Sequence, residues 1–281
     1  MPSHAMDRAF TCAIWSAAVL VTSAFLWLLG DLVWHGMAHL SWSFLVSEPM
    51  NAGRSGGIAP ILVSTLLILA VALAAAVPLG LGAAAWLAEY TRRDGALGQA
   101  VRLSLDVLAG VPSIIFGLFG NVFFSVFLGL GFSMLSGGLT LACMILPIFI
   151  RTCEAGLSAV SDDWRHGAAA LGMTRAAALW HILLPAAASA IVAGLMLGIG
   201  RATAETAALI FTSGYVDRMP ESLSDSGRAL AVHIYDLSMN VTGGDGAAYA
   251  SALVLIVLIV AINTGALALS DRWWTRRIAT S

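Results

Sequence analysis

The chain is 281 residues long, enough for one or two soluble domains, but 59% of its residues are hydrophobic and only 11% are charged. With a mean hydropathy of +0.88 it reads as an integral membrane protein. All 14 basic residues are Arg, which excludes a phosphate loop of the type G-x-x-x-x-G-K-S/T, and a net charge of -2 gives no electrostatic case for nucleic acid.

Crossing about 30 Å of hydrocarbon takes roughly 20 helical residues. The first uncharged apolar run long enough is 9–30, after Arg8. The apolar core of a signal peptide is shorter, so this run is expected to remain as an uncleaved span. Beyond it, His35 and His39 share helical spacing beside Trp34 and Trp42, residue types of membrane edges, and no third metal ligand is near. Gly53 to Gly57 could cradle a phosphate in a nest of backbone N–H groups, but reads better as a turn into the second span, 57–88.

The uncharged run 107–150 is too long for one span and is read as two helices joined by a tight turn in the Gly-rich stretch 129–138. Its second helix continues past Arg151 and Glu154, an i, i+3 pair. Asp162 and Asp163 are expected to cap a helix start. The remaining spans are 184–212 and 247–269, six in all. Cys12, Cys143 and Cys153 have no C-x-x-C spacing and read as small buried apolar groups.

Basic residues are retained on the cytoplasmic side of a membrane. With both termini cytoplasmic, ten arginines (8, 92, 93, 102, 151, 165, 175, 272, 276 and 277) fall on or near that side and three (54, 218 and 228) outside. Segments 31–56 and 213–246 are then external, and the polar island from Arg165 to Pro185 is cytoplasmic.

In that island, small residues at 167–170 make a smooth helical surface, Gly172 ends the helix and Pro185 stands where a membrane helix begins. It reads as a docking surface rather than a catalytic one. Gly194, Gly198 and Ala202 form a small-residue helix contact face. Arg201 and Glu205, spaced i, i+4 in an otherwise apolar span, are expected on one helix face. A charge there costs on the order of 3 kcal/mol unless paired or hydrated. Either the two fix helix packing, or the guanidinium attracts an oxyanion whose release the carboxylate eases.

These residues resemble a known family. The motif E-A-A-x3-G-x9-I-x-L-P of bacterial ABC importer permeases is matched in every spacing by His166, Gly167 and Ala168, then Gly172, then Ile182, Leu184 and Pro185. His166 stands in place of the usual Glu and Gly167 in place of Ala, so the acid that the family offers its ATPase is absent. Three further stretches are similar to phosphate-specific permeases of the PstA type: 108–119, then Arg151 to Glu154, and 200–207 from Gly200 through Arg201 and Glu205 to Ala207.

The resemblance implies an all-α polytopic membrane protein of about six transmembrane helices with the ABC importer type I permease fold. Residues 1–56 would hold the N-terminal helix and an external segment, and 57–281 the permease core, with a cytoplasmic coupling loop at about 156–184. Phosphate would pass Arg201, Glu205 and Arg151. The chain would be a non-enzymatic subunit of the bacterial inner membrane with no cofactor of its own, ATP and Mg acting at the partner ATPase. Its partners would be a second permease of the PstC type, two ATP-binding subunits, an external phosphate-binding protein and the lipid bilayer. Three other readings stay open: a permease for sulfate, molybdate or phosphonate, a secondary transporter built on a buried Arg-Glu pair, and a membrane-embedded lipid enzyme. The last would need converging His, Asp or Glu near one interface, and the sequence offers none.

Overall fold

The computed structural model describes residues 4–92 and 95–278, with side chains for 6–92 and 95–268. Arg93 lies outside the described residues, and Arg272, Arg276 and Arg277 lie outside the described side chains.

The chain opens with the long apolar helix α1 (His4–His39), followed by α2 (Trp42–Val46), whose N-cap Ser41 accepts from the Phe44 N–H at 3.2 Å. A two-stranded antiparallel ribbon follows, pairing β1 (Pro49–Met50) with β2 (Ser55–Gly56). The glycine-rich stretch is therefore a hairpin turn, with Asn51 and Ala52 at positive φ. Helix α3 (Ala59–Ala85) starts with Pro60 in its first turn and ends in a π-helical turn, Trp86–Tyr90.

Helix α4 (Ala96–Ala109) and α5 (Ser113–Gly120), the latter extended by a π-helical turn to Phe127, meet at 100°. The expected helix from 107 is thus corrected to a sharply broken pair. Val111 precedes Pro112 and is biased away from helical geometry, and Pro112 restarts the chain as the N-cap of α5. The turn expected within 129–138 is confined to 128–133, with Gly137 and Gly138 already inside α6 (Met134–Ala159), which Ser133 caps by accepting from the Ser136 N–H at 3.1 Å.

Next come α7 (Asp162–Ala170), α8 (Arg175–Ala178), a π-helical turn (Leu179–Leu183) and α9 (Leu184–Ala186). The helical segment Arg175–Ala186 then bends by 69° into α10 (Ala188–Thr203). The chain closes with α11 (Ala207–Ile210), α12 (Leu230–Met239) and α13 (Asp245–Ile278). Among the described residues four helices are long and apolar enough to cross a membrane, or up to six spans if each bent pair counts as one.

Helices α3 and α6 form the most extensive interface. Ile68, Leu69, Ala72 and Ala76 pack with Leu141, Met144 and Ile145, and Ile199 and Ala202 of α10 close the cluster. A second cluster at the Glu89 end joins Leu87, Phe149, Cys153 and Leu157 to Leu179 and Leu183. A third, at the opposite end, joins Phe44, Ile58 and Ile61 to Leu230, Leu237 and Ala250. In α6, 67% of the apolar window is buried, and in α1 none is, so α6 is the central post and α1 a peripheral helix. Helix α1 docks on α13, where Gly36 brings the backbones close beside Tyr249 and Leu253.

Candidate functional site

Helix α10 lies against α6 along the expected small-residue face. A Cβ at Gly194 would sit 3.2 Å from atoms of Phe149 and Thr152, and Ala202 is buried. In the last turn of α10, Arg201 is half-buried. Among the described residues no carboxylate lies within ion-pair distance of its guanidinium.

The expectation that Arg201 and Glu205 share a helix face is corrected. The helix ends at Thr203, and Glu205 Oε1 instead accepts from the Ala208 N–H of α11 at 3.1 Å. Tertiary packing overrides helix continuation here. At Gly117, α5 comes so near that a Cβ would stand 2.8 Å from Ala208 Cα, and Asn121 Nδ2 donates to the Phe211 carbonyl at 2.7 Å. Both contacts hold α11 away from the line of α10.

Arg151 is in a different state. Its Nη1 is 2.7 Å from Glu154 Oε2, the expected i, i+3 pair, and its Nε is 2.9 Å from Asp106 Oδ1. Glu154, with its side chain 5% exposed, also takes Arg102 Nε at 2.6 Å, and Arg102 Nη2 donates to the Leu87 carbonyl at 3.2 Å. Two guanidinia and two carboxylates thus tie α4 to α6 with balanced charge, which is what burial of ions requires. Sequence reasoning missed Arg102 and Asp106, although their i, i+4 spacing on an amphipathic segment was an available signal.

The polar island folds as a helical hairpin. Ser161 caps α7, its Oγ accepting from the Asp163 N–H at 3.3 Å, with Asp162 and Asp163 in the first turn. Gly172 ends the helix at φ +75°, and Thr174 caps α8, accepting from the Ala177 N–H at 3.2 Å. The motif residues divide by direction. His166, Gly167 and Gly172 are exposed, Ala168 is buried, and Ile182, Leu184 and Pro185 are half-buried. Gly167 and Gly172 have open space where a side chain would be, and Leu171 is 82% exposed beside them. Trp164, Gly167, Leu171 and Ile182 line a shallow apolar groove of about 380 Å3.

Arg165 fastens this hairpin. Its guanidinium meets Glu89 at 2.6 Å and Asp162 at 3.2 Å, and donates to the carbonyls of Leu157 and Val160 at 2.8 and 2.6 Å. The hydrogen bonds that Arg165 donates to Glu89 push its pKa up, and its partial burial opposes this.

At the opposite end, Arg228 donates to the Tyr215 carbonyl at 2.9 Å and stands 3.3 Å from Asp236. His233, isolated in the sequence, is buried there with Nδ1 3.4 Å from Arg228 Nη1. Burial first, and then the Arg228 charge, push its pKa down to about 4, while Asp236 acts the other way. His35 Nδ1 lies 3.0 Å from the Asp31 carbonyl, and its ring packs against Tyr249.

The fold is that of known importers. A solved bacterial ABC transporter involved in the import of the acidic polysaccharide alginate contains a chain that superposes with a TM-score of 0.63 at 14% identity, covering 92% of this chain and 96% of that one. In sequence, the chain is 28% identical to the probable ABC transporter permease protein YqgI of Bacillus subtilis (strain 168), over 93% of this chain and 90% of that protein. It is 32% identical to the phosphate transport system permease protein PstA of Mycobacterium leprae (strain TN), over 84% of this chain and 79% of that one. Residues 76–275, which hold the helical hairpin of 162–183, Arg201 and the Arg102 to Glu154 network, match one family throughout. The chain belongs to the binding-protein-dependent transport system inner membrane components.

Proposed function

We propose that this chain is the transmembrane permease subunit of an ATP-driven importer of inorganic phosphate, forming half of the translocation path. The observation that carries the cargo reading is Arg201, a half-buried guanidinium in α10 with no carboxylate at ion-pair distance among the described residues. Such a group is stabilised by water or by an anion. The PstA name of the Mycobacterium leprae relative supports phosphate as that anion. In this reading Arg201 attracts the oxyanion, and Glu205, just beyond the helix break, keeps the hold weak enough for release. Arg151, already tied to Asp106 and Glu154, lines the same path nearer the docking hairpin.

The groove beside Gly167 and Leu171 supports seating of an ATP-binding subunit on His166, Gly167, Ala168, Gly172, Ile182, Leu184 and Pro185. ATP and Mg belong to that subunit, present in two copies, and this chain performs no catalysis. A second permease of the PstC type completes the path, and an external phosphate-binding protein delivers the anion. Both termini face the cytoplasm, residues 1–56 form the N-terminal helix with its external segment, and 57–281 form the core.

The test is co-expression with candidate ATPase and second-permease subunits, followed by phosphate uptake into vesicles. Arg201→Ala is expected to abolish ATP-dependent uptake while the complex still co-purifies. Normal uptake by that variant would remove Arg201 from the path. Uptake of sulfate, molybdate or a phosphonate in preference to phosphate would reassign the cargo, and uptake that survives ATP depletion but fails without a proton gradient would favour a secondary transporter.

A further inference from the structure

Three elements meet at the Arg165 guanidinium. Nη2 lies 2.6 Å from Glu89 Oε1, and Nε lies 3.2 Å from each oxygen of the same carboxylate, a side-on pair with the turn that ends α3. The carbonyls of Leu157 and Val160, at the end of α6, take two further N–H groups, and Asp162 of α7 completes the set. Only a planar fork of five donors can serve so many acceptors at once, and the negative end of the α6 dipole adds to its hold. The pair is shielded, with side chains 21% and 12% exposed for Arg165 and Glu89.

Beside this pair the hairpin stands off α3. A cleft of about 370 Å3 separates Ala88 and Glu89 from Ala168, Ala169 and Met173 of the hairpin, so the ion pair bridges a gap. The hairpin is also joined to the spans directly at α6 through Val160 and Ser161, by Leu179 and Leu183 packed against Leu87, and along the chain to α10 through a π-helical turn and the 69° bend at Ala187. The turn and the bend are points where a helix yields. The α3–α6 interface, by contrast, is tightly packed along its length, so a displacement delivered at Glu89 moves the two helices together.

We propose that Arg165 and Glu89 are the positioning pair through which displacement of the docking hairpin reaches the α3–α6 unit. Neither touches nucleotide or anion in this scheme, which rests on the reading above that an ATPase subunit seats on the hairpin.

The experiment uses the assembled transporter in proteoliposomes, with its binding protein and inorganic phosphate, comparing the unaltered chain with Glu89→Gln, Glu89→Asp and Arg165→Lys. Three quantities are measured: phosphate taken up, ATP hydrolysed and ATPase subunit retained. For Glu89→Gln and Arg165→Lys the subunit stays bound, hydrolysis stays within about twofold, and phosphate moved per ATP falls about tenfold. Glu89→Asp, which keeps the charge, recovers most of that ratio. An unchanged ratio in Glu89→Gln overturns the proposal. So does a parallel fall of uptake and hydrolysis with loss of the bound subunit, which would make the pair a structural support only. An unaltered chain that retains no ATPase subunit overturns the permease reading itself, and the wild-type control tells that failure apart.

Discussion

Arg102 Nε stands 2.6 Å from Glu154 Oε1, joining α4 to α6 across 52 residues of sequence. The other oxygen of that carboxylate holds Arg151 at 2.7 Å, so one nearly buried acid contacts two guanidinia, and Asp106 supplies the second negative charge. Glu154→Ala leaves both short of a partner. Removing one member of a buried ion pair costs about 3–5 kcal/mol, and the water and Asp106 available to Arg151 make this an upper bound. The expected result is a clear drop in the melting temperature of the purified chain, smaller for Glu154→Gln, which keeps an acceptor. Unchanged melting in Glu154→Ala would show that the network contributes nothing to stability.

Glu205 makes one observed contact and has one proposed role, and the two are separable. Lying just before the N-cap Thr206, it accepts one N–H of α11, from Ala208, and loss of that bond in Glu205→Ala should cost about 1 kcal/mol. Glu205→Gln keeps an acceptor oxygen, so its melting temperature should match the unaltered chain, while the lost charge slows anion release and lowers uptake several-fold. Equal uptake by Glu205→Gln and the unaltered chain would confine the residue to that hydrogen bond.

The contrast between Arg201 and Glu205 shows where the sequence was legible. Long apolar runs bounded by arginine located the helices, because composition reports solvation. It does not report direction, so the 100° break at Pro112 and the end of α10 at Thr203 were hidden. The second depends on Gly117 meeting Ala208, a contact between segments distant in sequence. Arg165 and Glu89 are 76 residues apart, and no local pattern pairs them. The hairpin's shape was readable because caps and a turn glycine are local devices: Ser161, Gly172 and Thr174 act where their residue types say they should.

Gly172 sits at φ +75° with open space around it, so its requirement is conformational and not steric. Any L-residue there pays about 1–2 kcal/mol, least for Asn. Co-purification of the ATPase subunit should therefore fall in the order Gly, Asn, Ala, Val at this position. Equal retention by Gly172→Val would mean that the turn does not shape the docking surface.

The buried imidazole of His233 predicts a pH dependence. The unfolded side chain titrates near 6.5 and the folded one near 4, so between these values the unfolded chain binds more protons. The stabilisation is complete above 6.5 and is lost as the pH falls through about 4. The difference is worth roughly 3 kcal/mol. Melting temperatures of the purified chain should drop between about pH 7 and pH 5, and His233→Gln should flatten that slope. An identical slope in the variant would assign the effect to other groups.

The 69° bend at Ala187 sets the kind of motion expected beside Arg201. An axial push along 175–186 meets α10 at a steep angle, so most of it is delivered across that helix and little along it. Around the guanidinium the signature to seek is then a swing about the elbow, which would widen or narrow the gap to a neighbouring helix without changing how deep the charge sits.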